Sequence, residues 1–134
     1  MILNGKQIFI VEDDMKNRVV FQVILSQYGA QVCFEKNGFQ TIWRLQALSH
    51  VDLIILDLML PNGQSGLDIF DQIHSHPDYA HVPIVAVSST DPSMGITQTR
   101  QKGFAGFISK PIDNRLFPRQ IASIIAGEKI WLGR

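Results

Sequence analysis

Five short runs of apolar, β-branched and aromatic residues recur along the chain, and each is followed by a stretch with helical spacing. The runs span residues 6–11 (KQIFIV), 31–34 (QVCF), 52–56 (DLIIL), 84–87 (IVAV) and 106–109 (GFIS). They do not alternate with polar residues, as expected of strands whose sheet is covered by helices on both faces. Residues 15–28 place Val20, Ile24 and Tyr28 on one helical face with Val23 beside them, and Gly29 is a stop. Residues 39–48 turn Ile42 and Leu45 inward, with Trp43 a further candidate; residues 67–74 do so with Leu67, Phe70 and Ile73. Gly95 and two threonines weaken the helical pattern over 93–102. The last helix reaches about residue 126, with Ile121, Ile124 and Ile125 apolar. It is either capped at Asp113, losing a hydrogen bond at Pro118, or starts near Phe117 with the proline in its first turn. This alternation predicts an α/β fold, a doubly wound five-stranded parallel sheet with helices on both faces.

Composition narrows the function classes. At 134 residues the chain has about one domain's length, and 46% hydrophobic residues supply a core. Twelve Lys and Arg balance twelve Asp and Glu, so no general electrostatic attraction draws it to nucleic acid or an anionic membrane. Cys33 is the one cysteine, which excludes an internal disulfide and a multi-cysteine metal site. Inside a strand it reads as a small buried hydrophobe, and a reducing, cytoplasmic setting fits. The apolar stretch 53–60 is broken by Asp57 and falls far short of the roughly 20 residues of a membrane span. Residues 1–11 run into three acids without a small-residue cleavage site, unlike a signal peptide. One unit over 1–134 is expected, with its core at about 5–126 and a tail at 127–134 too short for a fused output domain.

In doubly wound sheets, ligands bind at the C-terminal ends of the strands. The first run ends at Glu12, Asp13 and Asp14, the third at Asp57, the fourth at Ser88 and the fifth at Lys110. A parallel sheet brings all four sets to one edge. Crowded carboxylates repel, and a cation relieves the repulsion. Mg²⁺ prefers such hard oxygen ligands. A carboxylate can serve as the nucleophile that forms an aspartyl-phosphate, and a lysine and a hydroxyl can donate to phosphoryl oxygens. Each piece alone has a plain alternative: Asp14 as a helix cap, Asp57 as a turn former, Ser88-Ser89-Thr90 as loop chemistry, Lys110 as a surface lysine. Their joint placement at successive strand ends favours a metal-assisted phosphoryl site.

The segments IFIVEDD (8–14), DLIILDLMLP (52–61), Gly66, VPIVAVSS (82–89), KGFAGF (102–107) and ISKP (108–111) occur in order across nearly the whole chain. In these the chain resembles a response-regulator receiver domain of two-component signalling. The resemblance implies the flavodoxin-like strand order 2-1-3-4-5. It implies that Asp57 is the phosphoacceptor and that Glu12, Asp13, Asp57 and the Met59 backbone carbonyl hold Mg²⁺. Asp13 is favoured as a direct metal ligand, with a bridging water the alternative for Glu12; Asp14 is favoured as a cap. Ser88 and Lys110 would read the phosphoryl group, and the Lys110–Pro111 bond is expected to be cis. Phe107 stands at the aromatic switch position, where many members have tyrosine, so a hydroxyl-mediated link is excluded. Met59 and Thr90 fall where the family tunes dephosphorylation. The implied partners are a sensor histidine kinase or histidine phosphotransfer protein and a downstream protein meeting the face of the fourth helix, fifth strand and fifth helix. The implied state is a monomer or a weak phosphorylation-dependent dimer.

A phosphorylation-independent interaction module is the alternative, and the retained Glu12, Asp13, Asp57, Ser88 and Lys110 weigh against it. A phosphatase with a DxD nucleophile would carry that acid on the first strand, and a dinucleotide binder would need a Gly-rich loop there in place of acids. His74 and His76, two residues apart, share no helix face and read as structural or surface residues. Trp131 lies in the tail GEKIWLGR, where folding back on the domain, contact with a partner and a truncation remnant all stay open.

Overall fold

The computed structural model describes residues 1–133. Its elements follow in order: β1 (Gln7–Val11), α1 (Met15–Gln27), β2 (Gln31–Glu35), α2 (Thr41–Gln46), β3 (Leu53–Leu56), α3 (Gly66–His74), β4 (Ile84–Ser88), α4 (Pro92–Lys102), β5 (Gly106–Ser109), α5 (Phe117–Ile125) and β6 (Ile130–Leu132). All strands are parallel, in the order β2-β1-β3-β4-β5-β6. The doubly wound sheet is as expected, with one correction. It has six strands, not five, because residues of the expected tail fold back and pair with β5. Arg134, the last residue of that tail, lies outside the described residues.

Side chains of successive strand residues enter opposite apolar layers. Ile8, Ile10, Leu53, Ile55, Val85, Val87 and Ile108 face α1 and α5, where Phe21, Leu25, Phe117 and Ile121 meet them. Phe9, Val11, Ile54, Leu56, Ile84, Ala86 and Phe107 face α2, α3 and α4, where Leu45, Ile69, Phe70 and Phe104 meet them. This two-sided burial explains the unbroken apolar runs of the sequence.

Two inward assignments are corrected. On α1 the buried residues are Phe21, Ile24 and Leu25, whereas Val20 and Val23 are exposed. The valine stripe and the Phe21 stripe lie side by side on the helix, and the layer takes the larger side chains. Trp43 is 70% exposed, because α2 is only six residues long and presents Thr41 and Leu45 to the sheet. Phe39, expected inside that helix, lies before it and is exposed. The start of α5 combines both sequence alternatives. Asp113 accepts hydrogen bonds from the backbone N–H groups of Arg115 (2.8 Å) and Leu116 (2.9 Å), closing a turn, and the helix then begins at Phe117 with Pro118 in its first turn. Cys33 is half-buried, with Gln7 Nε2 3.6 Å from its sulfur.

Candidate phosphoacceptor site

Parallel pairing of β1 with β3 sets Val11 beside Leu56, so the residues that follow them share one edge. Glu12 and Asp57 are buried there, and Asp13 is exposed. The loop after β1 is held from both sides. Asp14 caps α1, its Oδ1 accepting from Lys16 N (2.8 Å) and Asn17 N (3.2 Å). Arg18 Nη1 donates to the carbonyls of Glu12 (3.0 Å) and Asp13 (2.7 Å). The Arg18 brace is a contact that sequence reading missed; no motif marks a side chain that reaches back to carbonyls of the preceding loop.

Lys110 reaches across from the end of β5. Its Nζ donates to Asp57 Oδ2 at 2.8 Å and Glu12 Oε1 at 2.6 Å. The backbone N–H of Lys110 donates to the Ser88 carbonyl at 3.0 Å, which ties the ends of β4 and β5 together. The Lys110–Pro111 peptide bond is cis. The other Asp57 oxygen, Oδ1, accepts from the Met59 N–H at 3.1 Å. Gly66 donates its N–H to the Leu58 carbonyl at 3.1 Å, and a side chain at this position would collide with the Asp57 backbone carbonyl. A glycine is therefore required where α3 starts against the Asp57 loop.

Ser88 is fully buried, and its hydroxyl lies 2.9 Å from Thr90 Oγ1 and accepts from the Thr90 N–H at 3.2 Å. Beside it, Ser109 Oγ is buried without a hydrogen-bond partner among the described residues. Phe107 is fully buried in the α4-side layer. Its ring fills the space above Gly95, where a Cβ would strike it. The glycine that weakens the α4 pattern in sequence thus makes room for the Phe107 ring.

Burial pushes the Glu12 carboxyl above its ordinary pKa, against the pull of Lys110. For Lys110, burial opposes the charge, but the ion pairs with Asp57 and Glu12 outweigh it and raise the ammonium pKa. One ammonium thus faces three carboxylates, and the edge keeps an excess of negative charge. Glu12, Asp13 and Asp57 each offer an oxygen, all within 4.8 Å of one another. Oxygens around Mg²⁺, bound at about 2.0–2.1 Å, sit roughly 3–4 Å apart. The three carboxylates fit a hard divalent cation after a small adjustment of side chains. Asp13, the most exposed of them, leaves the site open to water.

The fold is flavodoxin-like, and the site at the strand ends is an acidic cluster crossed by one lysine. The family model described as the response regulator receiver domain matches residues 8–122, and the chain belongs to this family. It is 29% identical over 120 residues to the polar-differentiation response regulator DivK of Brucella ovis, covering 90% of this chain and 96% of that protein. Its fold matches the chemotaxis response regulator CheY4 of Vibrio cholerae with a TM-score of 0.79 at 19% identity, over 89% and 98% of the two chains. It also matches the Mn(2+)-bound form of response regulator Rcp1 with a TM-score of 0.74 at 19% identity, over 92% and 94%. Among the described residues no helix is long and apolar enough to cross a membrane.

Proposed function

We propose that this receiver domain accepts a phosphoryl group on Asp57 from a phosphohistidine of a sensor kinase or phosphotransfer protein. The observation that carries this reading is the joint placement of Asp57, its lysine partner and two further carboxylates at one strand edge. Asp57 Oδ attacks phosphorus in line, the new P–O bond forms, the P–N bond breaks, and the leaving imidazole nitrogen takes up a proton. Glu12, Asp13, Asp57 and the Met59 carbonyl are the groups that would hold Mg²⁺; the ion supplies charge neutralisation for the phosphoryl oxygens. Lys110 then exchanges a carboxylate contact for a phosphoryl oxygen, and the Met59 N–H keeps its hold on the loop. Ser88 gives up its local bonds to Thr90 and turns its hydroxyl to the new group.

The rearrangement of Ser88 and Lys110 reaches β4, β5 and the Phe107–Gly95 contact, so the surface beside α4 changes with the charge at Asp57. Because Phe107 has no hydroxyl, the change passes through packing alone. The output is protein recognition, and the acid-rich strand edge together with the balanced net charge speaks against direct nucleic-acid binding.

Incubation with acetyl phosphate, read by intact mass, tests this. One phosphoryl adduct is expected in the presence of Mg²⁺ and none after chelation. Absence of both the adduct and divalent-cation binding would leave a phosphorylation-independent interaction module as the better reading.

A further inference from the structure

The β5 edge beside α4 is occupied by the chain's own C-terminal strand. After α5 the backbone turns at Gly127 (φ 107°), and Ile130–Leu132 run parallel to β5, with Ile130, Trp131 and Leu132 opposite Gly106, Phe107 and Ile108. Ile130 N donates to the Ala105 carbonyl at 3.2 Å. Gly106 lets the Ile130 carbonyl approach so closely that a Cβ there would collide with it. Paired residues of a parallel ladder point to one face, so Trp131 lies on the same side as Phe107. It packs on the α4-side layer, and the Arg100 guanidinium of α4 sits 5.0 Å from its ring centroid. Just past β6, Gly133 lies against Pro92 at the start of α4. The acceptor and its occupant differ in kind. All four residues of β5 are buried, whereas β6 has three residues, none fully buried, with Leu132 40% exposed. A short terminal strand with partly solvated side chains opens at lower free energy than the sheet it joins. An opened β6 uncovers the outward backbone groups of β5, the Gly106 notch, and the Arg100 guanidinium with nothing stacked on it.

We propose that the β5 edge with Arg100 is a docking surface for an extended apolar segment of a partner protein. That segment adds as a parallel strand, places an aromatic ring on Arg100, and takes the place that β6 fills at rest. The occupant's chemistry is read from the segment seated there: backbone pairing to Ala105–Ile108, a carbonyl over Gly106, and an aromatic side chain at the Trp131 position. The inference concerns the output surface of the proposed receiver function. Its test does not pass through Asp57, so failure of either leaves the other to stand on its own evidence.

The probe is a fluorescently labelled peptide of residues 128–133 (EKIWLG), titrated by anisotropy into the full chain and into two full-length variants with loosened tails. Trp131→Ala removes the ring from Arg100, and Ile130→Pro removes the N–H that bonds Ala105. Each variant is first checked for cooperative melting; if Ile130→Pro fails to fold, Trp131→Ala alone decides. The expected result is binding to the folded variants at least ten-fold tighter than to wild type. Binding should weaken several-fold when Arg100→Ala is added or when the peptide carries alanine in place of its tryptophan. Equal binding to wild type and variants, or no binding to folded variants, overturns the proposal. A concentration-dependent wild-type dimer that Ile130→Pro abolishes would also overturn it, by making a second copy the occupant.

Discussion

The two faces of the sheet differ in how they are built. Against α1 and α5 the layer is closed: Phe21 and Phe117 sit ring to ring with centroids 5.6 Å apart, and Leu25, Ile121 and Ile124 fill the rest. Against α2, α3 and α4 the layer holds Phe107, a glycine-made recess in α4, and a half-exposed tryptophan from the last strand. The helices there are shorter or carry residues of low helix propensity: α2 has six residues, and α4 holds Gly95, Thr97 and Thr99. Ser88, whose side chain shares a face with Ala86, opens onto this second layer. The difference teaches that one face is scaffold, and that the other is where a change of charge at the strand ends can be taken up by packing.

Four experiments bear on this contrast. Phe117→Ala, in the scaffold face, should cost about 3–5 kcal/mol of unfolding free energy by urea titration. The fraction that stays folded should still take a phosphoryl group from acetyl phosphate. Gly95→Ala, on the other face, tests the recess. Alanine in an exposed helix would stabilise by up to about 1 kcal/mol, but here the methyl meets the Phe107 ring, and a net loss of about 1–3 kcal/mol is expected. Phe107→Leu in the same chain should recover part of that loss, which a double-mutant cycle measures. If Gly95→Ala were stabilising, the recess would have no packing role.

Trp131→Ala should lower stability by roughly 1 kcal/mol through loss of its packing and its place under Arg100. It should leave phosphoryl uptake intact. The smallest effect is a slope. Glu12 keeps its proton to a higher pH in the folded chain than in the unfolded one. The folded state therefore binds more protons just above the ordinary glutamate range. Stability that this group contributes at low pH is lost as pH rises through its raised value. Glu12→Gln should flatten that part of the stability–pH curve in metal-free buffer, measured by urea melts at a series of pH values. An unchanged slope would mean that Lys110 fully offsets the burial.

Much of this was legible in the sequence, for physical reasons that differ by element. Strands covered on both faces leave unbroken apolar runs, so β1, β3, β4 and β5 could be placed within a residue or so. A parallel sheet then had to bring Glu12, Asp57, Ser88 and Lys110 to one edge. Contacts that depend on a side chain's reach were not legible. The Arg18 brace is one, and the Glu35 carboxylate is another: it accepts from Gln40 N and Thr41 Oγ1, each at 2.6 Å, and so caps α2 from a neighbouring strand. The buried face of α1 was misplaced because a valine stripe runs beside the one that carries Phe21 and Leu25, with Ile24 between them, and the layer takes the larger side chains. The sixth strand escaped because three apolar residues after a glycine carry no periodicity; only the partner edge at Gly106 gives them a place.

The central claim is that Asp57 is the residue modified. Borohydride reduction converts an aspartyl-phosphate to homoserine, so reduction after acetyl phosphate treatment, followed by peptide mass mapping, reads the site directly. Homoserine at position 57 alone, present with Mg²⁺ and lost on chelation, is the expected result. Reduction product at Asp13 or Glu12, or none at position 57 in chain shown to carry the adduct, would contradict the account.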